Sequence, residues 1–180
     1  MNATGLSQAA ALAALLHDDP VNAVDTSMLL RAFQTGASVA TDHDLPVVAD
    51  ARINEVTFNA SLSGSQILQI IGEWLHGQDR DQGFGGESFN DVASRWNAWW
   101  ASFVADHHTD KGEAVVVSHS AILLLMLPQI CTNPVDPDFV LSHGLPNTGI
   151  IKTQLHPNGT LSCTEWAGTP IPSALATSPR

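Results

Sequence analysis

Positive charge is scarce in this sequence. Lysine and arginine number 7 against 18 aspartates and glutamates, a net charge of -11 over 180 residues. A field of that sign repels nucleic acid and anionic membranes, so neither is an expected partner. A small phosphorylated ligand stays admissible, because its pocket needs only a few local cations. Cysteine is scarcer still. Cys131 and Cys163 show no CxxC spacing and no framework, and they are expected as unpaired buried thiols in a reducing cytosol rather than as a disulfide. Long apolar runs are missing too. The most apolar stretch, Ala114 to Leu127, is broken by Ser118, His119 and Ser120, which makes it a buried strand followed by a helix, not a membrane span. No basic-then-apolar leader is visible at the start, and a cytoplasmic location is the expectation. No repeat or interdomain linker interrupts the chain.

What is present describes an ordinary globular protein, with 44% apolar and 14% charged residues. The length suits one compact domain. An Ala/Leu-rich helix runs from Thr4, its expected N-cap, to His17, and Asp18-Asp19-Pro20 stops it. A strand over Val21–Asp25, a helix over Met28–Ala40 and a strand near Pro46–Ala49 follow. Ile67, Ile70, Ile71, Trp74 and Leu75 form one helical stripe. Ser88 and Asp91 resemble a capping box that opens a helix carrying Phe89, Val92, Trp96, Trp99, Trp100 and Phe103, an aromatic stripe read as core. Ala114–Ser118 reads as a strand buried on both faces of a parallel sheet, followed by a helix over Ala121–Ile130. Two last strands, 149–155 and 160–166, flank an Asn158-Gly159 hairpin turn. The alternation argues for an α/β fold, with residues 1–168 as one domain and 169–180 as a tail.

Three separated segments carry candidate chemistry. Arg31, in Ser27-Met28-Leu29-Leu30-Arg31-Ala32-Phe33-Gln34-Thr35, follows a strand and opens a helix. There its planar, always-charged fork suits phosphate oxygens, and helix N–H groups favour an anion. Glu55, in Arg52-Ile53-Asn54-Glu55-Val56-Thr57-Phe58, is a candidate general acid if its pocket keeps it protonated. His119, in Val115-Val116-Val117-Ser118-His119-Ser120, sits where an apolar strand ends, the place open α/β sheets present ligand sites; as imidazolium it would stabilise a transferring phosphoryl group. The Asp106-His107-His108-Thr109-Asp110 cluster falls at a helix C-terminus and reads as a solvated helix end, so no metal site is expected.

Taken in order, these segments resemble the histidine phosphatase (phosphoglycerate mutase-like) superfamily. Its S-x-L-x-R-A-x-x-T, L-x-E-x-x-F/L and V-x-S-H-G patterns fall on Arg31, Glu55 and His119. Thr4-Gly5-Leu6-Ser7-Gln8-Ala9, Gly85-Gly86-Glu87-Ser88 and Leu145-Pro146-Asn147-Thr148-Gly149 resemble its helix start, its G-G-E-S and its late turn. Departures include Met28 in place of proline, Asn59 in place of a glycine and Ser120 after the second histidine. The resemblance implies a three-layer α/β/α sandwich with a mostly parallel sheet and a C-terminal hairpin. It also implies phosphomonoester hydrolysis through a phosphohistidine, with Arg31 and His119 on phosphate, Glu55 and His119 in catalysis, and neither metal nor organic cofactor.

The family's Arg-His-Gly, whose histidine is the nucleophile, occurs nowhere in the 180 residues. Met1 aligns with the loop after that motif, so the first, central strand is expected to be missing through a mis-set start or a fragment. A pseudophosphatase that binds a phosphorylated ligand is the alternative, and a homodimer stays open. The missing strand should leave a gap or an open cleft beside Arg31 and His119, or another segment in its slot.

Overall fold

The computed structural model describes residues 1–172. Helix α1 (Ala3–Leu16) begins at Asn2, whose side chain accepts the Gly5 N–H at 2.9 Å. Asn2, not Thr4, is therefore the cap, since asparagine caps at least as well as threonine and stands where the chain is still extended. Strand β1 (Val21–Ser27), helix α2 (Leu30–Asp42), strand β2 (Val47–Asp50) and a 3-10 turn over Ala51–Ile53 follow. Then come α3 (Gly64–Leu75), α4 (Phe89–His107), β3 (Glu113–Val117), α5 (Ser120–Ile130) and α6 (Pro137–Ser142). The chain closes with β4 (Ile151–Leu155), β5 (Leu161–Trp166) and β6 (Thr169–Pro170). The Ser88/Asp91 capping box opens α4 as its spacing suggests, and a second box, Ser63 with Gln66, opens α3. No helix among the described residues is long and apolar enough to cross a membrane.

β1 lies between β2 and β3, and all three run parallel, with Val24 beside both Val47 and Val115. Alternate residues of β3 point to opposite faces. Val115 joins Ala13, Val24, Val39 and Ala40 under α1 and α2. Ala114 and Val116 pack against the larger cluster of α3, α4 and α5, in which Trp74, Trp96, Ile122 and Leu125 are fully buried. The result is helix, sheet, helix. Of the aromatic stripe on α4, Phe89, Trp96, Trp99 and Phe103 are buried and Trp100 is half-buried.

Two features differ from the sequence reading. β3 has the composition of an interior strand, yet it is the edge of its sheet, and Ala114–Val117 are only half-buried. The C-terminal hairpin β4–β5 forms as its Asn158-Gly159 turn suggests, and β6 extends it into a separate antiparallel sheet. Residues 169–170, counted with the tail from sequence, are the short strand β6, and residues 173–180 lie outside the described residues.

The far side of β5 is covered piecemeal. Thr132 donates its N–H to the Leu161 carbonyl at 2.7 Å. The Asn133 amide exchanges two hydrogen bonds with the Cys163 backbone, both 2.8 Å. β6 covers Glu165 and Trp166, and Ile171 donates to the Thr164 carbonyl at 2.9 Å. Cys163 is buried, Cys131 half-buried, and both are free thiols.

Candidate functional site

The parallel strands deliver their C-terminal ends to one edge, where open α/β sheets place ligands. β1 ends at Ser27, two residues before α2 takes over with Arg31 in its first turn, and β3 ends just before His119, which stands at the N-cap of α5. Arg31, Glu55 and His119 line one cleft of about 1150 Å³.

The contacts among them define a protonation state. Arg31 is exposed, and its Nε donates to Nδ1 of His119 at 3.1 Å. Since Nδ1 accepts, Nε2 carries the ring proton and donates to Ser27 Oγ at 2.6 Å. Ser27 Oγ also accepts the Leu29 N–H at 3.2 Å. Burial lowers the His119 pKa to about 4, aided by the charges of Arg31 and Arg95. With no anion beside it, the ring is therefore neutral at pH 7. An arriving phosphate dianion would offset the two guanidinium charges and favour protonation.

Glu55 has an evident task besides any acid role. Its carboxylate accepts from the N–H of Ile122 at 3.2 Å, of Ala121 at 3.4 Å and of Val56 at 3.0 Å. It thereby supplies the cap that His119, with no side-chain cap bond, does not give α5.

Several residues outside the sequence-derived set hold this arrangement. Arg95 on α4 donates from one Nη to the carbonyls of Arg52 at 2.7 Å and Asn54 at 2.8 Å, and its Nε lies 2.7 Å from Glu87. Glu87 in turn accepts the Thr57 N–H at 2.8 Å. Burial alone would raise the Glu87 carboxyl, but the hydrogen bonds from Arg95 and Thr57 hold it below its usual range. Asn54 accepts the Met28 N–H at 2.9 Å, and Ser118 Oγ donates to the Ile53 carbonyl at 2.8 Å. The Glu55 segment is thus tied to the ends of β1 and β3. Ser27, Asn54 and Glu87 lie inside the segments that carry the resemblance, whereas Arg95 has no signal beyond being polar.

His107, from the cluster considered for metal, pairs with Asp110 at 2.8 Å at the end of α4. Among the described residues, no group of three or more His, Cys, Asp or Glu side chains is placed to hold a metal ion.

An open parallel sheet with a guanidinium, an imidazole and a carboxylate at its C-terminal edge defines an α/β protein with a cleft of mixed polar chemistry. The family model described as histidine phosphatase superfamily (branch 1) matches residues 1–167, and the chain belongs to that family. Among solved structures, a mycobacterial hydrolase superposes with TM-score 0.76 at 22% identity, covering 94% of this chain and 86% of its own. A mycobacterial glucosyl-3-phosphoglycerate phosphatase with inorganic phosphate gives 0.73 at 23%, with 93% and 86% covered. The alpha-ribazole phosphatase of Shigella flexneri gives 0.69 at 20%, with 96% and 86% covered. These likenesses carry the fold. A search of curated proteins finds no match.

Proposed function

We propose that Arg31 and His119 form the phosphate pocket of a phosphomonoester hydrolase of the histidine phosphatase type, with Glu55 as the acid at its rim. The observation that carries this reading is the 3.1 Å contact of Arg31 with His119 beside Glu55 in one cleft. An exposed guanidinium fixed by one nitrogen keeps its remaining N–H donors free for phosphate oxygens. The ligand class is a small phosphomonoester, in keeping with the phosphatases this fold resembles. The two free thiols fit a reducing compartment, and we place the protein in the cytoplasm.

None of the 180 residues supplies the family's Arg-His-Gly. On this reading, these residues by themselves bind phosphate without turning over an ester, since the groups present hold and protonate but do not attack. The test pairs calorimetric titration with inorganic phosphate against an assay of p-nitrophenyl phosphate. Binding that Arg31→Ala abolishes, with no turnover, supports the reading. Binding indifferent to Arg31→Ala removes the phosphate pocket. Robust turnover that leaves a phosphohistidine at His119 and disappears in His119→Ala removes the missing-nucleophile part.

A further inference from the structure

We propose that the outer face of α1 and α2 is the contact surface of a weak two-fold dimer, in which α1 of one copy packs antiparallel against α1 of a second. This face belongs to the helical layer's side away from the sheet, and the proposal is independent of phosphate binding.

The composition of α1 is unusual for a surface helix. Its 14 residues, Ala3–Leu16, include no charged side chain. Ala9 and Ala13 are buried, and Leu12, Ala13 and Leu16 join the cluster under the helices. The opposite half, with Leu6, Ser7, Ala10, Ala11, Ala14 and Leu15, is exposed and equally uncharged. A helix that is apolar all round is ordinarily buried all round, yet half of this one faces outwards. Beside it α2 contributes Phe33, Ala37 and Thr41, and the two helices enclose a groove of about 570 Å³ that Leu6, Ala10 and Ala14 line from the α1 side. The one charged residue of that groove, Asp42, is already paired with His17 at 2.8 Å.

Charge selects the occupant. Each copy carries a net charge of -11, so two copies repel over most of their surface and meet with least repulsion where neither is charged. A basic partner, which that field attracts, gains little from a groove whose single carboxylate is paired. The face is also self-complementary, as a two-fold contact requires. With the axis at Ala10, Leu6 of one copy enters the groove of the other beside Ala14, and the reverse contact repeats it. The short side chains of Ala10 and Ala14 let the two helices approach to the lower end of the usual separation of about 8–10 Å. Antiparallel packing sets Asp18 and Asp19, just past the end of α1, beside the first turn of the opposing helix, where the dipole favours carboxylates. The helix is about 21 Å long and the pair about 20 Å wide, a footprint on the order of 400 Å² per copy. A standard interface covers about 800 Å² per partner, so this dimer forms only at high concentration.

Sedimentation equilibrium of the 180-residue protein from about 5 μM to about 500 μM should show a monomer–dimer equilibrium that shifts by mass action. Ala10→Glu sets two like charges at the axis and should weaken the dimer by about tenfold or more. Its circular dichroism and its melting at low concentration should match the wild type, since Ala10 is exposed. Leu6→Glu and Ala14→Lys should each be monomeric alone. An equimolar mixture of these two variants should associate again, because the introduced carboxylate and ammonium then face each other across the axis. A wild-type chain that stays monomeric throughout would leave the face to another partner or to none, and would overturn the proposal. So would a dimer that Ala10→Glu leaves intact, or a mixture no more associated than its components. Phosphate titration of the monomeric variants reports on the cleft separately.

Discussion

Arg31 Nε lies 3.1 Å from Nδ1 of His119, and this contact assigns the ring proton to Nε2, facing Ser27. A buried, neutral imidazole follows, with a pKa lowered from the ordinary 6.5 to about 4. The unfolded chain binds that proton more tightly than the folded one, so stability declines as pH falls through this window. The contribution is whole above 6.5 and gone below about 4, amounting to on the order of 3 kcal/mol. Urea unfolding at pH 7, 5.5 and 4.5 should show this slope in the wild type and a shallower one in His119→Asn. Nitrogen-15 spectra should show the Nε2–H tautomer at pH 6.

Removing the cation tests the other half of the pair. Arg31→Met should raise the His119 pKa, because one of the charges holding it down is gone while burial remains. Phosphate affinity should fall about tenfold or more, the scale of a charge-assisted hydrogen bond of about 1.5–3 kcal/mol. Proton NMR titration of the ring and calorimetry with phosphate read the two effects separately.

Arg95→Met should destabilise the fold by about 2–4 kcal/mol, since it strands the Glu87 carboxylate and two backbone carbonyls together. Adding Glu87→Gln should recover part of the loss, because the carboxylate charge then no longer lacks a partner. Thermal melts of the two variants decide it. A double variant no better than the single one would mean that the carbonyl contacts carry the whole effect.

Gly86 is tested by a single methyl. A Cβ there would fall on the Thr57 carbonyl oxygen, which is backbone and already accepts the Glu87 N–H at 2.8 Å. Gly86→Ala should cost about 1–3 kcal/mol. Gly144→Ala, with open space around its Cβ, should be nearly neutral in the same melts.

The sequence made some of this legible and hid the rest for physical reasons. Arg31 and His119 were readable because each sits in a short strand-to-helix motif whose local geometry fixes the side chain. Glu55 was readable as a carboxylate near the site, but not as the cap of α5, because its partners Ala121 and Ile122 lie 66 and 67 residues away. Arg95 gave no sign, since it acts on backbone carbonyls, which every residue type possesses. β3 was read as interior because Ala114–Val117 is apolar at every position, and its edge position depends on which neighbours are present. α6 was missed although Asp136 and Pro137 form a cap followed by a helix-starting proline, and β6 is too short to show any periodicity.

The Asn133 side chain bonded to Cys163 acts as a surrogate peptide group. With Thr132, β6 and Ile171, it leaves β5 no free flank for a stranger to zip onto. Among the described residues the hairpin sheet then has two outer flanks, the five residues of β4 and the two of β6, one of which is Pro170 with no N–H to give. β5 is thereby closed to edge-to-edge pairing, and a two-residue outer strand that ends in proline is a poor template for open-ended polymerisation.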